Sequence, residues 1–191
     1  VIRREMKLAE GDLYSQKIIR YSEGRIRALG FFDQVSVVPR PTKDPALMDL
    51  IVNVKELNTG TFQVGAGFSS LESFIVTAQV RKDNFLGRGQ TLSANAILSA
   101  LRQQFQVSFF EPYLFDTNVT LAFDAFNFRD DLVNFNRRRS GGNLSIGYRA
   151  TDWFALSLTY TLEDVQAEYS TGGITPKIFE KKGLTSSARL T

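Results

Sequence analysis

The chain contains neither cysteine nor histidine. Disulfide frameworks, thiolate metal sites and the Cys-His or Ser-His-Asp arrangements of nucleophilic catalysis are therefore excluded within it. Only carboxylate chemistry is left open. Long apolar runs are also missing: no stretch of about 18 apolar residues occurs, so no transmembrane helix is encoded. The opening Val1-Ile2-Arg3-Arg4-Glu5-Met6 is charged and amphipathic, unlike the basic start and apolar core of a signal peptide. A large excess of charge of one sign is lacking as well. The formal net charge is +3, and the one tight basic cluster, Arg137-Arg138-Arg139, reads as a solvated loop end rather than a phosphate grip. Nucleic acid is not an expected partner.

What the chain has instead is apolar residues, 43% of the total, in patterns of period two. Phe62, Val64, Ala66 and Phe68 alternate with Gln63, Gly65, Gly67 and Ser69, which describes a strand with one apolar face. After Ser70-Leu71-Glu72 the alternation resumes with Phe74, Val76, Ala78 and Val80 and ends in the turn Asp83–Gln90. The two strands read as an antiparallel hairpin. Five more segments repeat the pattern, through Leu92–Leu98, Phe105–Phe109, Val119–Ala125, Leu144–Tyr148 and Phe154–Leu162, and a further strand is expected to begin near Leu184.

Before this region the pattern is mixed. Ile2, Met6 and Leu8 suggest a helix over residues 1–8, stopping near Gly11. Ser15 is a candidate N-cap for a second helix, with Ile18, Ile19, Ser22, Ile26 and Leu29 on one face and Gly30 at its end. A strand over Phe31–Val38, a turn over Pro39–Pro45 and a strand over Leu47–Leu57 follow. Two helices on a two-stranded sheet would be marginal alone, so a further strand before Val1 is expected. Residues 1–57 form one domain in this reading and 58–191 another, with Asn58-Thr59-Gly60 between them.

The connections bear on what the second domain is. Turns rich in Gly, Pro or Asp (Asp83–Gln90, Glu111–Asn118, Arg149–Trp153) alternate with polar connections (Ser69–Ser73, Arg102–Gln103, about Arg129–Ser140, about Ser170–Lys182). Short turns at one end and longer loops at the other describe an outer-membrane β-barrel, and a soluble sandwich would have similar turns at both. About ten residues at roughly 3.4 Å each, tilted near 45°, cover about 24 Å, close to the apolar band of such barrels. Phe85, Tyr113, Phe115 and Trp153 fall in or beside the short turns, where an interfacial girdle would sit. The competing reading is that these aromatics plug a sandwich core.

Val1-Ile2-Arg3-Arg4-Glu5-Met6 with Leu13-Tyr14-Ser15, Leu29-Gly30-Phe31-Phe32, Val52-Asn53-Val54-Lys55-Glu56 running into Thr59-Gly60, and the turn Asn84-Phe85-Leu86-Gly87-Arg88-Gly89-Gln90 occur in that order along the chain. In these motifs the sequence resembles the BamA family of outer-membrane protein assembly factors, over the last periplasmic POTRA module and the first barrel strands. The resemblance implies an α+β POTRA module lacking its first strand, followed by antiparallel transmembrane strands that begin a sixteen-stranded barrel. It also implies a fragment, since the family's lumen-plugging loop motif would lie downstream of Thr191. The expected location is the bacterial outer membrane with the POTRA module in the periplasm. The expected partners are unfolded outer-membrane protein clients, accessory assembly lipoproteins at the POTRA module, and outer-membrane lipid.

On this resemblance Phe62, Gln63, Val64, Gly65, Ala66, Gly67, Phe68 and Ser69 form the lateral gate, the first barrel strand, which parts from the last to pair with a client strand. Gly65 and Gly67 weaken its packing, or else only relieve crowding and curve the barrel. Asn84, Phe85, Leu86, Gly87, Arg88 and Gly89 form a periplasmic turn, with glycines supplying positive φ and Phe85 or Leu86 at the membrane interface. Residues 65–70 have the look of a dinucleotide fingerprint, but no helix follows. Glu111, Asp124, Asp130, Asp131 and Glu163 are scattered, with solvated or lumen-facing roles expected. No enzymatic activity and no cofactor are expected. A related POTRA-barrel secretion or translocation pore is the alternative, and a passive porin, which has no need of a helical docking module, is further away.

Overall fold

A computed structural model describes residues 1–131, 135–151, 153–169 and 181–190. The chain divides into two compact units, Val1–Thr59 and Gly60–Thr191. In the first, α1 (Ile2–Glu5) is a single turn, and Met6 leaves it in an extended conformation, with φ −71° and ψ 124°. The helix expected over residues 1–8 is thus cut short, for a tertiary reason. Lys7 donates its backbone N–H to Ser22 Oγ at 3.0 Å, and Arg3 Nη1 donates to the Leu8 carbonyl at 2.9 Å. These bonds hold residues 6–8 extended, where local helical bonds would have competed.

Ser22 lies on α2 (Gln16–Ala28), fully buried between Ile19 and Ile26. Ser15 occupies the N-cap position, but its carbonyl rather than its hydroxyl makes the capping contact, accepting the Ile19 N–H at 3.0 Å. Gly30, at φ 71°, ends the helix as expected of a left-handed glycine. The helix packs on β1 (Phe32–Pro41), which pairs antiparallel with β2 (Met48–Glu56). Ile26, Phe32 and Val35 make the core, with Met6, Val52 and Val54 against it. β1 runs three residues past the expected strand end and takes in Pro39, Arg40 and Pro41 from the expected turn. A strand in a two-stranded sheet keeps one free edge, and residues two apart present their N–H positions to the same edge, so both prolines fit one side. Under α1, Arg25 Nη2 lies 2.8 Å from Oε2 of the buried Glu5, and that hydrogen bond raises the Arg25 pKa above its usual value.

The second unit is one antiparallel sheet of eight strands in sequential order: β3 (Gly60–Ser69), β4 (Ser73–Phe85), β5 (Gln90–Leu98), β6 (Arg102–Glu111), β7 (Val119–Asp131), β8 (Phe135–Arg149), β9 (Ala155–Tyr169) and β10 (Lys181–Leu190). The sheet is open, with β3 and β10 at its edges. The connection expected over Arg129–Ser140 is mostly strand: β7 and β8 pair through Asp131 opposite Asn136. Arg137-Arg138-Arg139 therefore lie inside β8 and alternate between its faces instead of forming a loop end. Charged residues on both faces hide the period-two pattern there, and cross-strand pairing such as Asp130 opposite Arg137 supplies what apolar alternation does not. The loop expected over about 170–182 falls at 170–180 outside the described residues.

Register places the apolar residues of successive strands side by side: Val64 opposite Ala78, Val107 opposite Ala125, Phe123 opposite Leu144, Ile146 opposite Leu158. That face is exposed, Phe62, Phe68 and Phe74 each by 70% or more. In this unit Phe126 alone of the described hydrophobic residues is buried, so among the described residues no second layer covers the apolar face as a sandwich core requires. The opposite face is polar and internally bonded. Gln104 and Arg137 both donate to Asp130, at 2.7 and 3.1 Å, Arg139 donates to Glu163 at 2.8 Å, and Ser145 and Thr159 share a hydrogen bond at 2.8 Å. Asp124, Asp130 and Glu163 thus face the polar side as expected, whereas Asp131 lies on the other face, 3.1 Å from Arg129 Nε.

Candidate functional site

The candidate site is the edge strand β3 with the hairpin turn beyond β4. β3 pairs with β4 along its whole length, from Gly60 opposite Lys82 to Ser69 opposite Ser73, and its other edge has no strand partner among the described residues. Phe62, Val64, Ala66 and Phe68 lie on the apolar face, and Phe68 meets Phe74 edge to face at 5.4 Å. Gln63, Gly65 and Gly67 lie on the polar face, and Ser69 Oγ accepts the Leu71 N–H at 3.2 Å where the chain turns.

The two glycines are not equivalent. A Cβ at Gly65 would lie 2.7 Å from Thr77 Oγ1 across the pair, whereas one at Gly67 would meet nothing within 4 Å. Relief of crowding therefore accounts for Gly65 and not for Gly67. Both forgo a cross-strand side-chain contact, a term of about 0.2–1 kcal/mol each. On the polar face at these two positions β3 contributes only its backbone to the contact with β4.

The turn is more constrained than its glycines indicate. Gly87 and Gly89 have φ of 72° and 77°, and Asn84 and Leu86 also take positive φ, 52° and 54°. Asn84 tolerates this conformation and uses it: its Oδ1 accepts the Gly89 N–H at 2.9 Å and its carbonyl accepts the Gly87 N–H at 2.9 Å. Arg88 N–H donates to the Phe85 carbonyl at 3.2 Å, and Phe85 pairs with Gln90. Leu86 has no such compensation and is exposed, while Phe85 is half-buried. Phe115, in the next turn at the same end, repeats the arrangement with φ 52° and 90% exposure. An apolar side chain held outward at a strained φ points to the turn's surroundings rather than its interior. The Asn-x-x-Gly spacing carried the signal for Asn84. Nothing local marked Leu86.

Beside the turn, Glu111 is buried and takes up both available donors, Gln90 Nε2 at 2.5 Å and the Tyr113 N–H at 3.0 Å. Arg149 stacks over the Tyr113 ring at 5.7 Å. The site holds backbone pairing groups, apolar surface and a rigid turn.

Comparison with known proteins agrees with this architecture. The Omp85 superfamily domain matches residues 84–190, and a POTRA family described as surface antigen variable number repeat matches residues 1–57. The outer membrane protein assembly factor BamA of Nitratidesulfovibrio vulgaris is 29% identical over 85% of this chain and 21% of its own length. BamA of Neorickettsia risticii is 32% identical over 85% of this chain and 22% of its own length. The chain thus spans about a fifth of these relatives. The crystal structure of BamA from Haemophilus ducreyi lacking POTRA domains 1–3 superposes with a TM-score of 0.76 at 21% identity, covering 99% of this chain and 39% of that one. With more than half of its residues matched by that domain, and a POTRA module ahead of it, the chain belongs to the Omp85 superfamily.

Proposed function

We propose that this chain supplies the last POTRA module and the opening strands of a transmembrane barrel in an outer-membrane protein assembly factor, and that β3 is its working edge. The observation that carries the reading is the eight-stranded sheet with an exposed apolar face and an unclosed edge at β3. In hydrocarbon each unpaired backbone N–H or C=O costs several kcal/mol, so such an edge must be paired by further strands of the full protein, a sixteen-stranded barrel in this reading. A weakly held first strand makes that closure reversible, and a client strand takes over the ladder by β-augmentation. Backbone groups give affinity independent of client sequence, while alternating side chains fix register. The work is templating rather than catalysis. The POTRA module, in the periplasm, offers its strand edges to clients and accessory lipoproteins.

The test is a disulfide between Val64→Cys and a cysteine in the final barrel strand of the full-length protein. Locking the seam is expected to stop insertion of client barrels, with activity restored by reduction. Unimpaired insertion while the disulfide is intact would overturn the gate.

A further inference from the structure

We propose that Glu72 is a positioning residue of the β3 edge, holding the loop end of the β3–β4 hairpin in line with the sheet so that a client strand meets the edge over its whole length; the inference rests on the gate reading above. The hairpin is longer than its support. β3 and β4 stay paired out to Ser69 opposite Ser73, whereas the register of β4 with β5 begins at Val76 opposite Leu98. Ser73, Phe74 and Ile75 therefore project past that ladder, and with them Gly67, Phe68 and Ser69, their partners on the working edge. The ring contact of Phe68 with Phe74 lies within the hairpin and does not tie it to β5. At the turn end no brace is needed, because Thr61 and Phe62 lie opposite Arg81 and Val80, which are backed in turn by Ser93 and Ala94 on β5.

The contacts from the overhanging corner to the β5–β6 turn converge on one residue. Glu72 Oε2 accepts the Ser99 hydroxyl at 3.0 Å, its Oε1 lies 2.5 Å from Arg102 Nη2, and its backbone carbonyl accepts the Ala100 N–H at 3.3 Å. The side chain is 14% exposed although it belongs to a hairpin loop, while its neighbour Leu71 points outward. The receiving turn is itself fixed. Ser99 Oγ accepts the N–H groups of Leu101 and Arg102, the Ser99 N–H donates to the Arg102 carbonyl at 2.7 Å, and the Leu101 carbonyl accepts the Asp131 N–H at 2.7 Å, which carries the brace on to β7. A carboxylate held between a hydroxyl and a guanidinium, largely out of water, binds them more firmly than an exposed ion pair does. Strand addition forms backbone pairs one after another along an edge, so a frayed loop end would shorten the template. Glu72 keeps residues 67–69 in the usable edge.

The test uses the full-length protein in a bilayer, with the photocrosslinker p-benzoylphenylalanine in place of Phe62 or of Phe68 to capture a client barrel during insertion. In E72A the ratio of capture at Phe68 to capture at Phe62 is expected to fall roughly tenfold, and amide exchange at residues 67–69 to quicken by a similar factor, as loss of charge-assisted bonds allows. Exchange at residues 156–162 should stay as in the wild type, which shows that the variant is folded; a general loss of stability would instead raise exchange in both segments and leave the capture ratio alone. E72R/R102E, which rebuilds the ion pair with its charges exchanged, should recover most of the ratio, and R102E alone should not. An unchanged capture ratio in E72A, exchange at residues 67–69 no faster than in the wild type, or a loss that E72R/R102E leaves unrepaired would overturn the brace. Wild-type capture at neither Phe62 nor Phe68 would instead overturn the gate reading, while exchange at residues 67–69 in E72A still reads the brace.

Discussion

Gly141 on β8 lies so close to Leu162 on β9 that a Cβ on the glycine would stand 2.3 Å from the Leu162 carbonyl oxygen and 2.7 Å from the Glu163 Cα. Neither contact is with a flexible side-chain end, so no rotamer change relieves it. Gly141→Ala is expected to destabilise the full-length protein by about 2 kcal/mol or more, as overpacking against fixed backbone does. Gly67→Ala, with open space around it, should stay within about 0.5 kcal/mol. Urea unfolding in detergent micelles checks both, and equal effects would show that the β8–β9 approach is not rigid.

Asn84 closes the β4–β5 turn with its side chain and takes a positive φ while doing so. Asn84→Ala removes the acceptor for the Gly89 N–H and adds the left-handed penalty, together about 1–3 kcal/mol. Asn84→Gly loses only the hydrogen bond and should recover part of that. The ordering Asn, Gly, Ala in unfolding midpoint is the expected result.

If β3 is the weak seam, its amide protons exchange faster than those of a central strand. Hydrogen exchange on the full-length protein in a bilayer should show residues 62–69 exchanging well ahead of 156–162, because β9 has partners on both sides and β3 has β4 and two glycines. Equal strong protection would favour a statically closed pore.

In the first unit a hydrogen bond from its own backbone amide, with the Arg3 guanidinium next in weight, holds the exposed Glu10 carboxyl below its usual pKa of 4.5. A lowered folded value means that this contribution to stability is present above pH 4.5 and is lost as pH falls through the folded value. Carboxyl-carbon NMR should give a Glu10 midpoint below the usual range, and Arg3→Gln should raise it. An unchanged midpoint in that variant would remove Arg3 as a cause.

Period-two alternation and turn residues were enough to place β3, β4, β5, β6 and β9, because each pairs locally with its neighbour in sequence and gathers its apolar side chains on one face. Order and spacing of short motifs were enough for the family. The ends of the elements were not legible. Residues 6–8 are extended because Ser22 and Arg3 reach them, and the loop-end halves of β7 and β8 are strands because Asp130 meets Arg137 across the sheet. The same holds for the polar network around Asp130 and Glu163 and for the pairing of Arg129 with Arg138. Alternation states which residues share a face, and register, set by long-range backbone pairing, decides which of them touch.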